Sequence, residues 1–142
     1  MRILIIGGGG FIGQKLAARL AQYQGRPIFL FMHHPPARLH SQFDDIGLED
    51  RAAFLDVLRG SPDVRHIFAG HIHHRASGVV AGIPFTTMQA ASFQAPGPGT
   101  VWDWNEFQPV KEPPAYGVIY IEGGDVTVQS ELFCTADFGW TG

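Results

Sequence analysis

Five of the seven histidines stand in two short clusters, His33-His34 and His71-Ile72-His73-His74. The first directly follows the fully apolar run 28–32, which reads as a buried parallel strand, and the second follows a short strand over 65–69 and Gly70. With a helical segment between the two runs, the strands become neighbours in a parallel sheet. Both clusters then meet at its carboxyl edge, where open α/β sheets bind ligands. Converging imidazoles suit a divalent transition metal such as Zn, Mn, Fe or Co. A lone histidine is more often a structural residue, but five at two strand ends point to a metal site.

A second chemistry is written at the start of the chain. Gly7-Gly8-Gly9-Gly10-Phe11-Ile12-Gly13 fits G-x-x-G-x-x-G on Gly7, Gly10 and Gly13. The glycines lie between an apolar strand over 2–6 and an amphipathic helix over 11–22, in which Ile12, Leu16 and Leu20 recur every fourth position. Glycines there let backbone N–H groups and a helix N-terminus approach a phosphate. Two readings stay open: a nucleotide or phosphate site, or only a tight strand-to-helix turn.

The elements that must position these residues follow in order. After Gly25 and Pro27 comes the strand over 28–32, which Pro35 and Pro36 prevent from continuing. Residues 37–47 have no periodicity and read as a loop that overhangs a site. Leu48, Ala52, Leu55 and Leu58 mark a second helix, with Glu49 and Asp50 in its first turn and Gly60 just past its end. Strands over 79–81 and 85–88 flank a turn at Gly82-Ile83-Pro84, and 94–114 is a Pro- and aromatic-rich loop carrying Trp102 and Trp104. A hairpin over 116–121 and 126–133 turns at Gly123-Gly124. The expected fold is therefore α/β, a small mostly parallel sheet with a βαβαβ N-terminal part followed by a β-hairpin. One domain over 1–142 is expected, divided into 1–24, 25–133 and a tail over 134–142.

Composition narrows the function. Ten Lys and Arg against 13 Asp and Glu give a net charge of −3 with no basic cluster, which argues against a nucleic-acid partner. The single cysteine, Cys134, excludes an intramolecular disulfide framework. No apolar stretch approaches the roughly 20 residues that cross a bilayer, so no membrane partner is expected and the cytoplasm is the expected compartment.

Residues 1–20 resemble the opening of extended short-chain dehydrogenases of the nucleotide-sugar epimerase type. The acidic residue expected about 20 residues past the glycines is replaced by Phe31-Met32-His33-His34, and no Tyr-x-x-x-Lys pair occurs. NAD is thus not the expected ligand, and dehydrogenase chemistry is not expected. Residues 25–133 resemble the C-terminal half of calcineurin-like metallophosphoesterases, close to the cyclic-nucleotide and glycerophosphodiester phosphodiesterase subgroup. His33-His34-Pro35 matches that family's His-x-Pro motif and Gly70-His71-Ile72-His73 its Gly-His-x-His motif. The resemblance implies that His33 and His71 bind one metal of a pair and His73 the other, with His34 and His74 behind the ligands or facing substrate.

The family's Asp-x-His, Gly-Asp and Gly-Asn-His motifs are missing. A fragment or chimera with a partial histidine site for Zn, Mn or Fe is therefore expected, acting on a phosphodiester or nucleotide with little or no hydrolase activity. The alternatives are a non-enzymatic recombined folding module and a nucleotide or phosphate binder through Gly7, Gly10 and Gly13. Half of a sheet sandwich leaves apolar faces to cover, which predicts a homo-oligomer, strand exchange being one route.

Overall fold

A computed structural model describes residues 4–6 and 12–133. Five strands form one sheet in the order β1-β2-β3-β5-β4: β1 (Leu4–Ile6), β2 (Ile28–Met32), β3 (Val64–Ala69), β4 (Ser77–Val80) and β5 (Ile83–Thr87). Neighbours from β1 to β5 run parallel, and β4 closes the edge antiparallel. The expected mostly parallel α/β sheet is thus present. Helices α1 (Ile12–Ala21) and α2 (Arg51–Arg59) make the crossovers.

Burial explains why these runs pair as they do. The three residues that open β2 and all but Arg65 in β3 are buried, as expected for strands covered on both faces. Leu16 and Leu20 of α1 and Phe54 and Leu58 of α2 pack with Ile28, Leu30, Val64 and Ile67 into one core. The expected Leu48-Ala52-Leu55-Leu58 face of α2 is rotated: Phe54 and Leu58 point inward while Ala52 is exposed. The bulkier Phe54 takes the sheet. Glu49 and Asp50 precede the helix rather than occupying its first turn, Asp50 being its N-cap.

The turn between β4 and β5 also moves. It falls at Ala81-Gly82, both with positive φ, instead of Gly82-Ile83-Pro84. Two-residue hairpins favour that backbone because its twist matches the strands, and the shift buries Ile83. Pro84 opposes Val79 and precedes Phe85, where pairing with β3 begins, so its missing N–H is not required.

The last two strands, β6 (Ala115–Glu122) and β7 (Asp125–Leu132), form the expected hairpin as a separate sheet, turning at Gly123-Gly124 with positive φ at both. Its base rests on the chain after β5, with Ala115 N donating to Ala90 O and Ser130 Oγ to Gln89 Oε1. A Cβ at Gly117 would stand 2.5 Å from Met88 Sδ, so a side chain there would have to displace the Met88 thioether. No described helix is long and apolar enough to cross a membrane. Of the glycine loop only Gly13, within α1, is described; Gly7 and Gly10, like the tail over 134–142, lie outside the described residues.

Candidate metal centre

The parallel pairing of β2 with β3 sets Met32 against Ala69, and both chains end there in register. Gly70 N donates to His33 O at 3.0 Å, extending the ladder by one bond and bringing the two clusters together. Beyond it the chain tightens. Ile72 N donates to Gly70 O at 2.9 Å around His71, whose φ is 71°, and His73 follows with φ 54°. A γ-turn of this hand is rare and strained for a residue with a Cβ, costing on the order of 1–3 kcal/mol. Ile72, buried between the two histidines and packed with Phe43 and Ala95, is the anchor that holds it.

The turn aims His71 at β2. His71 Nδ1 lies 3.1 Å from His33 Nε2, one ring donating its N–H to the other. Ring centroids of His33, His34 and His71 are 4.4–5.0 Å apart. One ring nitrogen from each lies within 4.8 Å of the other two, and no carboxylate joins this group among the described residues. His71 Nε2 is buried without a well-formed hydrogen bond among the described residues, although the Ile46 backbone lies close enough to favour the charged ring.

Burial, then the neighbouring His34 and His33, pushes the His71 imidazolium down to about pKa 4, against a smaller opposing contribution from the Ile46 backbone. His34 is lowered by burial and by His33, with Glu49 opposing. His71 is therefore neutral at pH 7, with a lone pair available. Three imidazoles, one of them with a buried ring nitrogen, fit a borderline-soft divalent ion and not Mg²⁺ or Ca²⁺, which take oxygen.

The other two sequence-expected residues are not members of this trio. His73 Nδ1 donates to Phe93 O at 2.7 Å and its ring packs on Phe93. His74 Nε2 donates to Pro96 O at 2.6 Å. Thr87, fully buried, accepts from Ala76 N and donates to His74 O, stitching this segment to β5.

An arc of rings flanks the centre. Phe43, carried on a 3-10 turn over Gln42–Ile46, meets His71 at 5.7 Å and both Trp102 and Trp104 at under 6 Å. The loop over 37–47 therefore does overhang the site. Gln42 fastens it to the later loop by donating to Trp102 O and accepting from Trp102 N. Sequence periodicity missed Phe43 because an irregular loop has none. The one signal was a lone phenylalanine among Leu39, Ile46 and polar residues.

No family model matches the chain. A probable cyclic nucleotide phosphodiesterase of Synechococcus sp. (strain WH7803) is 31% identical over 108 residues, which are 70% of this chain and 41% of that protein. A glycerophosphodiester phosphodiesterase of Enterobacter lignolyticus (strain SCF1) is 32% identical over 82 residues, 57% of this chain and 30% of that protein. Among solved structures, a dimetal phosphatase from Danio rerio aligns with a TM-score of 0.48 and 28% identity over 57% of this chain and 27% of its own. The chain spans less than half the length of these proteins. The sequence likenesses support a metallophosphoesterase-like domain.

Proposed function

We propose that this chain is the histidine-bearing part of a metal-dependent phosphodiesterase, holding one divalent transition metal on His33, His34 and His71. The observation that carries the reading is the convergence of these three ring nitrogens within 4.8 Å at the carboxyl ends of β2 and β3. A bound ion would supply Lewis-acid polarisation of a phosphoryl oxygen. His33, His34 and His71 hold it, and His73 and His74, locked by the carbonyls of Phe93 and Pro96, stand beside the trio. The sequence contains no bridging-carboxylate motif of the kind that keeps two cations together against their repulsion. The reading is therefore a single ion with weak or absent hydrolysis.

Residues 1–24 are part of the same proposal: a strand and helix of dehydrogenase type that cover the sheet, joined to a phosphoesterase half. The packing of Leu16 and Leu20 against Ile28 and Leu30 supports a covering role. Self-association belongs to it too, favoured by exposed Val79 on the edge strand β4 and by exposed Tyr116, Tyr120 and Phe133 at the hairpin. Sedimentation velocity finding a pure monomer would remove that part.

Calorimetry with zinc, manganese and iron(II) tests the core of the reading. At least one metal binds stoichiometrically, and His71→Ala weakens the binding; heat-free titrations with all three would contradict it. Hydrolysis of bis-p-nitrophenyl phosphate by the loaded chain stays close to a His33→Ala control. Turnover well above that control would show that the centre is more complete than proposed.

A further inference from the structure

The ring arc ends in a residue that the loop core does not use. Phe43, Ile72 and Ala95 form that core, with Trp102 and Phe107 packed against it. Trp104 is outside it: 42% of its surface is exposed, and its ring contacts are an edge approach to Phe43 at 5.8 Å and to Trp102 at 5.7 Å. It is also held in place. Asp103 caps the 3-10 turn Trp104–Glu106 by accepting from Asn105 N at 2.8 Å, and Gln42 ties Trp102 to the loop that carries Phe43. An exposed indole fixed at both ends differs from a loose surface side chain.

Its position relative to the histidines is set by two ring spacings, His71 to Phe43 at 5.7 Å and Phe43 to Trp104 at 5.8 Å. The Trp104 and His71 rings thus share Phe43 as a common neighbour, which puts the indole beside the histidine trio and one ring removed from it. Trp102 Nε1 in the same arc is buried without an acceptor among the described residues. Aromatic surface tolerates any planar π-face and offers little to a glycerol chain.

Building on the metal-site reading above, we propose that Trp104, backed by Phe43, is a stacking platform that makes the site prefer phosphate esters carrying a planar aromatic group, such as a nucleobase, over glycerol-type esters. Trp104 sets this preference by holding the aromatic group. It takes no part in bond breaking.

Equilibrium dialysis of the zinc-loaded chain against inorganic phosphate, adenosine 5′-monophosphate and glycerol 3-phosphate tests it. Adenosine monophosphate binds about 5- to 150-fold more tightly than glycerol 3-phosphate, the range that one stacked base supports. Trp104→Ala removes that margin and leaves inorganic phosphate and the zinc stoichiometry unchanged, while Trp104→Phe keeps most of it. Equal binding of the two esters by the wild-type chain, or equal weakening of all three probes in Trp104→Ala, overturns the platform and leaves the metal site standing. Binding of none of the probes overturns both.

Discussion

The γ-turn at His71 makes a prediction that separates backbone strain from the loss of the imidazole. His71→Gly and His71→Ala both delete the ring, its contact with His33 and the buried Nε2, so those terms cancel in the comparison. The φ of 71° remains. Alanine bears the left-handed penalty of about 1–2 kcal/mol, whereas glycine loses about 0.5–1 kcal/mol through its freer unfolded chain. The metal-free glycine variant should therefore be the more stable by about 1 kcal/mol. For 142 residues that is about 3 °C in melting temperature. Urea titration in EDTA reads it directly. At His74, which is not among the positive-φ residues, the same pair reverses, alanine leading by about 0.5–1 kcal/mol. An alanine variant at position 71 as stable as the glycine variant would refute the strain argument.

Further outcomes follow from burial. Gln94 is fully buried, accepts from Ala90 N and donates to the carbonyls of Ala90 and Pro113. Gln94→Ala orphans these groups and costs at least about 2 kcal/mol in urea denaturation, whereas Ala91→Ser on the exposed surface stays within about 0.5 kcal/mol. Phe54→Ala opens the α2–sheet core and costs about 3–5 kcal/mol in the same assay. His66, on β3 beside Thr86 and stacked on Phe68, has its pKa lowered by burial. The folded state then binds fewer protons than the unfolded one. Its stability contribution is complete above the unfolded value of about 6.5 and is lost as pH falls from there through the lowered folded value. Denaturation midpoints across that window fall less steeply in His66→Gln than in the wild-type chain, and identical slopes would rule the effect out.

Much of the fold was legible because it is written in local pattern. The apolar run before His33-His34 and the short segment before Gly70 read as strands, and Gly123-Gly124 between two alternating segments reads as a turn. The rotated α2 face was not legible, since leucine spacing says nothing about whether Phe54 outcompetes Leu55 for the sheet. The site was legible as two clusters and one edge. Which three histidines converge depends on the γ-turn at His71, and a turn that puts a non-glycine residue at positive φ leaves no trace in sequence. His73, expected among the ligands, falls outside the trio and has its Nδ1 on Phe93 O, a contact with a residue 20 positions away that the sequence does not reveal. His34, expected behind the ligands, stands with His33 and His71.

The central claim is the His33-His34-His71 ligand set, and zinc-edge X-ray absorption on the zinc-loaded chain addresses it most directly. The account predicts three imidazole nitrogens on the ion, one fewer in each of His33→Ala, His34→Ala and His71→Ala, and no change in His73→Ala. An oxygen-only shell, or an imidazole lost in His73→Ala and kept in His34→Ala, would contradict it.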